Sequence, residues 1–165
     1  MAQVYLSLGS NINRAQHIRA ALNALVEKFG ELEVSRVFES EAVGFQGDNF
    51  YNLVVGLQTD LPVGQLALSL RGIEDANGRL RSGPKFSART LDIDILTYDN
   101  LTGTIDGVKL PRGEIVKNAF VLQPLAEIAP QAVHSVEQKT YRQLWDEYDQ
   151  ASQKLWPVEF IWPGA

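Results

Sequence analysis

The pattern of apolar residues predicts an α+β fold. Val4, Leu6 and Leu8 alternate with Tyr5 and Ser7, as in a strand with one buried face, and Ile18, Leu22, Leu25, Val26 and Phe29 fall at helical spacing. The same two periods recur further along, giving the order strand, helix, strand, strand, helix, strand. That is the split βαβ order of ferredoxin-like α+β folds.

Each element follows from local chemistry. Gly9-Ser10-Asn11 breaks the first alternation, and a first helix is predicted from Asn13 to Phe29, with Gly30 where a left-handed residue ends a helix. Strand-like runs cover Leu32 to Ser40 and Tyr51 to Thr59, and Gly44 to Asn49 between them reads as loop from its Gly and polar content. Pro62 suits the first turn of a second helix, whose Val63, Leu66, Leu70 and Ile73 lead to Asn77-Gly78. Gly78 to Ser87 has no sustained period and reads as a mobile loop, and a fourth strand starts at about Thr90. Beyond it, Leu101 to Leu110 reads as a short hairpin and Ala119 to Ile128 as a short helix ended by Ala129-Pro130. Thr140 to Leu155 reads as a third long helix with Thr140 as N-cap, and Val158 to Trp162 as an edge strand.

Composition narrows the function classes. The 165 residues, 45% of them hydrophobic, suit one domain spanning 1–165. A net charge of −5 argues against a uniformly basic nucleic-acid binder, and the lack of cysteine excludes disulfide frameworks, thiolate nucleophiles and Cys-ligated metals. With no leader pattern and no run near eighteen apolar residues, a cytoplasmic protein without membrane contact is expected.

The most informative segment is Thr90-Leu91-Asp92-Ile93-Asp94-Ile95-Leu96. On a strand, Leu91, Ile93 and Ile95 face the core while Asp92 and Asp94 share the opposite face, roughly 6–7 Å apart. Two carboxylates that close repel unless a cation neutralises them, and an oxygen-only donor set favours a hard ion such as Mg²⁺. The alternative is a half-solvated strand that happens to carry two aspartates. Just upstream, Arg71, Arg79, Arg81, Lys85 and Arg89 concentrate five of the 15 basic residues of an acidic chain. Guanidinium forks beside a carboxylate pair suit the two halves of a Mg²⁺–nucleotide site, against the alternative of surface charge exchanged with Glu74 and Asp75. The chain has no phosphate-binding glycine loop of the P-loop or Rossmann type, so side chains and metal would have to hold any phosphates. His17 and His134 show no ligand spacing and receive no role. Phe50, Asn52 and Phe120 could hold a flat heterocycle, although such residues more often pack a core.

Taken together, Leu8-Gly9-Ser10-Asn11, Gly78-Arg79-Leu80-Arg81, Ala88-Arg89-Thr90-Leu91-Asp92-Ile93-Asp94-Ile95-Leu96 and Phe120-Val121-Leu122-Gln123-Pro124-Leu125-Ala126-Glu127-Ile128-Ala129-Pro130 resemble the 6-hydroxymethyl-7,8-dihydropterin pyrophosphokinase family of folate biosynthesis. The resemblance implies a ferredoxin-like core in a three-layer α/β/α arrangement with C-terminal helices. It implies transfer of pyrophosphate from ATP to 6-hydroxymethyl-7,8-dihydropterin with release of AMP, by a monomer needing no nucleic acid or membrane. Asp92 and Asp94 would hold two Mg²⁺ ions, and Arg79 and Arg89 would neutralise charge during transfer. Glu74, Arg81, Lys85, Arg89, Ile95 and Arg112 would fall on the nucleotide side. Asn11, Ser40, Val43, Gly44, Asn52 and Phe120 would fall on the pterin side, with Phe120 stacking on the ring and Asn52 bonding its edge. The loops at Gly44 to Asn49 and Arg81 to Ser87 would close over the substrates.

The chain also departs from the family pattern. Pro111-Arg112-Gly113 stands where Pro-His is common, Asn118 where an arginine precedes the stacking segment, Lys85-Phe86 where an Arg-Trp pair is frequent, and Ser40-Glu41-Ala42 where a Thr-Pro or Thr-Glu-Pro entry is usual. Two alternatives therefore accompany the pyrophosphokinase: a divergent paralogue with weak or altered activity, and a ferredoxin-like metabolite-binding module.

Overall fold

The computed structural model describes residues 1–41, 47–78 and 91–162. Strand β1 (Ala2–Ser10) is followed by α1 (Arg14–Phe29), β2 (Glu33–Val34), β3 (Val37–Ser40), β4 (Phe50–Thr59), α2 (Val63–Ala76) and β5 (Asp92–Tyr98). Then come the hairpin β6 (Gly103–Ile105) and β7 (Val108–Leu110), helices α3 (Glu114–Lys117), α4 (Ala119–Ile128) and α5 (Tyr141–Glu147), and β8 (Leu155–Val158). The main sheet is antiparallel, ordered β5-β1-β4-β3-β8, with β2 also paired to β4.

The two faces of this sheet serve different apolar clusters, because strand side chains alternate. Val4, Leu6 and Leu8 of β1, Leu53, Val55 and Leu57 of β4, and Ile93 and Ile95 of β5 pack with Ile18, Leu22 and Leu25 of α1 and Leu66, Leu70 and Ile73 of α2. Val54 of β4 and Leu96 of β5 instead join Val121, Leu122 and Leu125 of α4 and Tyr141 of α5. With both faces covered, residues Asn52 to Leu57 of β4 are buried without a break.

Several expected boundaries move, each for a visible reason. Gly9 and Ser10 remain paired to β4 and so continue β1 rather than ending it. The run from Leu32 to Ser40 is two strands, because Ser35 takes the Val54 N–H on its Oγ and Arg36 gives its N–H to Glu127 of α4. Pro62 is the extended N-cap of α2 rather than a residue of its first turn. The predicted helix from Thr140 to Leu155 stops at Glu147. Thr140 caps it as expected, and Gln143 completes a capping box with it, but Tyr148 is extended and Ser152 turns back on the Asp149 carbonyl. The edge strand falls at Leu155–Val158, earlier than expected, and Trp162 folds onto α1 with its indole N–H on Asn23. A short helix at Glu114–Lys117 joins the predicted set. The first helix, β4, the hairpin and α4 lie where the periodicity puts them, and Gly30 has φ 80°. The loop expected from Gly78 to Ser87 and the strand start at Thr90 lie outside the described residues, apart from Gly78.

Candidate active site

The site is built on the α4-side face of the sheet, and strand register assembles it. Asp92 is opposite Gly9, Gly9 is opposite Asn52, and Asn52 is opposite Phe38, so one row crosses four strands. The next row runs from Asp94 through Ser7 to Val54. Directly opposed residues point to the same face. The row from Asp92 to Asn52 therefore spans two strand spacings, about 10 Å. Gly9 is its floor: a Cβ there would lie 3.5 Å from Asn52 Oδ1 and 3.8 Å from Phe50 Cδ2.

At the amide end, Asn52 and Ser40 are 6% and 4% exposed. Asn52 Nδ2 donates to Ser40 Oγ at 2.8 Å and to the Phe38 carbonyl at 3.4 Å. The amide nitrogen is thereby spent inside the protein, and Oδ1 is turned toward the Gly9 floor as an acceptor. Buried Asn11 closes this end by donating to the Asp48 carbonyl at 3.2 Å. Arg14 ties the following backbone to the sheet, with Nη1 on the Asn49 carbonyl at 3.1 Å and on Glu39 at 3.3 Å and the guanidinium over the Tyr51 ring.

Phe120, partly buried on the cluster beneath α4, is positioned by the chain around it. The N–H of Ala119 donates to Gln153 Oε1 at 2.8 Å, and Pro124 lacks the N–H that would otherwise bond the Phe120 carbonyl within the helix. Tyr141 packs in the same cluster. Burial, together with neighbouring Tyr5, pushes its phenol up to about 12 despite a hydrogen bond with Thr97, so it stays neutral there.

At the carboxylate end, Ile93 gives its N–H to Glu74 Oε2 at 2.8 Å, which fastens β5 to α2. Glu74 is buried, and its carboxylate acts on the backbone between the two aspartates. A register shift between Tyr5 and Leu6 leaves Leu96 as an extra residue of β5, and the Arg112 N–H binds its carbonyl at 2.8 Å. The guanidinium lies at the rim: Nη2 is 3.6 Å from Asp94 Oδ1, and Nε pairs with Glu114.

The structure thus brings Asp92, Asp94, Glu74 and Arg112 to one end and Asn11, Ser40 and Asn52 to the other. Ile95 faces away from the carboxylates, into the core with α2, because it alternates with Asp94. Val43, Gly44, Arg79, Arg81, Lys85 and Arg89 lie outside the described residues. Gly9 and Glu114 received no role from the sequence. Gly9 stood in the Leu8-Gly9-Ser10-Asn11 segment, and its alternation with Leu8 was the available signal; the contact of Glu114 with Arg112 had none.

Two carboxylates on one half-exposed strand face fit a small hard cation that keeps water and takes its other ligands from a phosphate chain. Among the described residues, no cluster of three or more His, Asp or Glu side chains offers an all-protein cage. Fold and site together define a mixed α/β protein with its polar groups in rows along one face of an antiparallel sheet.

Residues 5–130 match the sequence model of the 7,8-dihydro-6-hydroxymethylpterin-pyrophosphokinase family, and the chain belongs to that family. It is 37% identical over 146 residues to the 2-amino-4-hydroxy-6-hydroxymethyldihydropteridine pyrophosphokinase of Aquifex aeolicus, covering 87% of this chain and 90% of that one. The enzyme of the same name from Porphyromonas gingivalis is 35% identical over 136 residues, covering 79% and 92%. The chain is also 34% identical to the folic acid synthesis protein fol1 of Pneumocystis carinii, over 81% of this chain but only 18% of that longer protein. Among solved structures, Plasmodium falciparum HPPK-DHPS with pterin and p-hydroxybenzoate superposes with a TM-score of 0.72 at 16% identity, over 88% of this chain and 43% of that chain. That likeness shows the shared fold.

Proposed function

We propose that the chain transfers the terminal pyrophosphoryl group of ATP to the hydroxymethyl oxygen of 6-hydroxymethyl-7,8-dihydropterin. The new bond joins that oxygen to the β-phosphorus, the bond from the β-phosphorus to the α,β-bridging oxygen breaks, AMP leaves, and the hydroxyl proton passes to solvent. The observation that carries this reading is the row Asp92–Gly9–Asn52, which sets a carboxylate pair and a buried amide about 10 Å apart over a glycine floor. A flat heterocycle fits against the amide, with its substituent directed along the floor toward the carboxylates.

In this reading Asn52 Oδ1 accepts from the ring edge while Ser40 fixes the amide's orientation, and Phe120 stacks on the ring. Asn11 closes the same pocket, which Val43 and Gly44 would shape by family resemblance. Asp92 and Asp94 would hold Mg²⁺, two ions by family resemblance, and such an ion supplies neutralisation of the phosphate oxygens as charge shifts to the leaving group. Glu74 keeps the two aspartates in place through Ile93. Arg112, with Arg79, Arg81, Lys85 and Arg89, would meet the phosphates, and Ile95 would contribute only through its backbone. Held in line, the two substrates react without the entropic cost of meeting in solution.

The strand order β5-β1-β4-β3 and the apolar clusters on alternate strand residues support a ferredoxin-like, three-layer core. The proposal includes a monomer acting in the cytoplasm; among the described residues no helix is long and apolar enough to cross a membrane. The test separates the two ends of the row. Asn52→Ala should raise KM for the pterin at least tenfold with a smaller change in kcat. Asp94→Asn should cut kcat at least a hundredfold and leave pterin affinity within threefold. Equal effects of both variants on pterin affinity would overturn the assignment.

A further inference from the structure

Arg112 does more at the rim than await a phosphate. Its Nη edge is 3.6 Å from Asp94 Oδ1 while its Nε edge pairs with Glu114, so one planar fork joins two carboxylates. Asp94, Arg112 and Glu114 are each about two-fifths exposed, with side-chain exposures of 38%, 36% and 43%. None is locked in the core, so the pairing can exchange. The backbone of Arg112 is fixed separately, by its N–H on the Leu96 carbonyl, so the side chain pivots from an anchored base.

We infer that Arg112 is a resident counter-cation of Asp94, tethered by Glu114, which a divalent cation displaces on loading and which then turns its freed Nη edge to the incoming phosphate chain. Glu114 is a positioning residue in this scheme. It competes with Asp94 for the guanidinium, weakening the resident pair, and it keeps the released arginine at the rim. The scheme deepens the reading of Asp92 and Asp94 as a cation site and rests on it.

The test uses Mn²⁺ alone, a hard cation with the same oxygen preference, measured by the paramagnetic resonance of the free ion without nucleotide. Arg112→Ala should bind Mn²⁺ about two- to fivefold more tightly than the unsubstituted chain, the factor an exposed ion pair supports. Glu114→Gln should bind it more weakly, because the arginine then rests wholly on Asp94. In the Arg112→Ala background, Glu114→Gln should change nothing further. A simple field effect of Glu114 would weaken Mn²⁺ binding in both backgrounds, and that result overturns the proposal. Arg112→Gln carries the same expectation if Arg112→Ala does not fold. For the complex of Mg²⁺ with α,β-methylene-ATP, Arg112→Ala should lower affinity about two- to fivefold; unchanged affinity overturns the second half of the scheme. Asp94→Asn separates the two levels. If it does not weaken Mn²⁺ binding, the cation site itself is wrong and the proposal falls with it; if it does and Arg112→Ala leaves binding unchanged, the counter-cation alone is wrong.

Discussion

Gly9 offers a perturbation whose effects on fold and function have opposite signs. It lies within β1, paired to Asn52 on one side and Asp92 on the other. Its φ is not among the positive values, so an alanine meets no backbone strain. The added Cβ would find Asn52 Oδ1 at 3.5 Å, Phe50 Cδ2 at 3.8 Å and the Tyr51 carbonyl at 3.9 Å, all ordinary contacts. Gly9→Ala should therefore stabilise the fold by about 0.5–1 kcal/mol, through the lost flexibility of the unfolded chain. For a chain of this size that raises Tm by roughly 1–4 °C. The same Cβ stands about 1.5 Å above the floor, whereas a ring in van der Waals contact with the glycine Cα lies about 3.5 Å above it. The ring would meet the methyl at on the order of 2 Å and must lift or tilt. A steric cost of about 1–3 kcal/mol corresponds to roughly 5- to 150-fold weaker pterin binding. Thermal unfolding and titration of the pterin into the two proteins measure both quantities. A lower Tm would contradict the ordinary contacts expected of the added Cβ, and unchanged pterin affinity would refute the placement of the ring over this row.

Three further outcomes follow from single contacts. Glu74→Ala removes the acceptor of the Ile93 N–H and should cost about 1.5–3 kcal/mol in chemical denaturation, with kcat falling as the aspartates lose their support; a loss below 0.5 kcal/mol would contradict the role. Trp162→Ala vacates a largely buried site with an indole bond to Asn23 and should cost about 3 kcal/mol, read from the urea midpoint, without changing KM for either substrate; a cost under 1 kcal/mol would mean that the C-terminal segment is not held. His134 accepts the Val136 and Glu137 N–H groups on Nδ1, and burial lowers its pKa from 6.5 against the pull of Glu137. The folded state therefore disfavours the proton that the unfolded chain takes up. Its contribution is complete above pH 6.5 and is lost as pH falls through the lowered folded value. His134→Gln should remove that acid-side loss from a Tm profile between pH 8 and 5; parallel profiles would refute it.

Much of the fold was legible because burial imposes periodicity. The spacing of Ile18, Leu22 and Leu25 located α1, and the alternation of Asp92 and Asp94 with Ile93 and Ile95 put both carboxylates on one face. The C-terminal region was less legible. Trp145 and Tyr148 continue the helical spacing in the sequence, but α5 ends between them, and Gln153 holds the start of α4. Ser35 and Glu127 split the second strand-like run through contacts remote in sequence. Register, and with it the Asp92–Gly9–Asn52 row, is a tertiary property that no local pattern carries. The bridging of Asp94 and Glu114 by Arg112 was hidden for the same reason. Arg112 could be noted as a departure from the family pattern, but its partners emerge only where the chain after the hairpin returns to β5.

The most direct test of the account is to incubate the pure protein with 6-hydroxymethyl-7,8-dihydropterin, ATP and Mg²⁺ and to separate the nucleotides formed. One AMP is expected for each pterin consumed, and none when Mg²⁺ is chelated. Formation of ADP, or no turnover by a folded protein that binds both substrates, would contradict it.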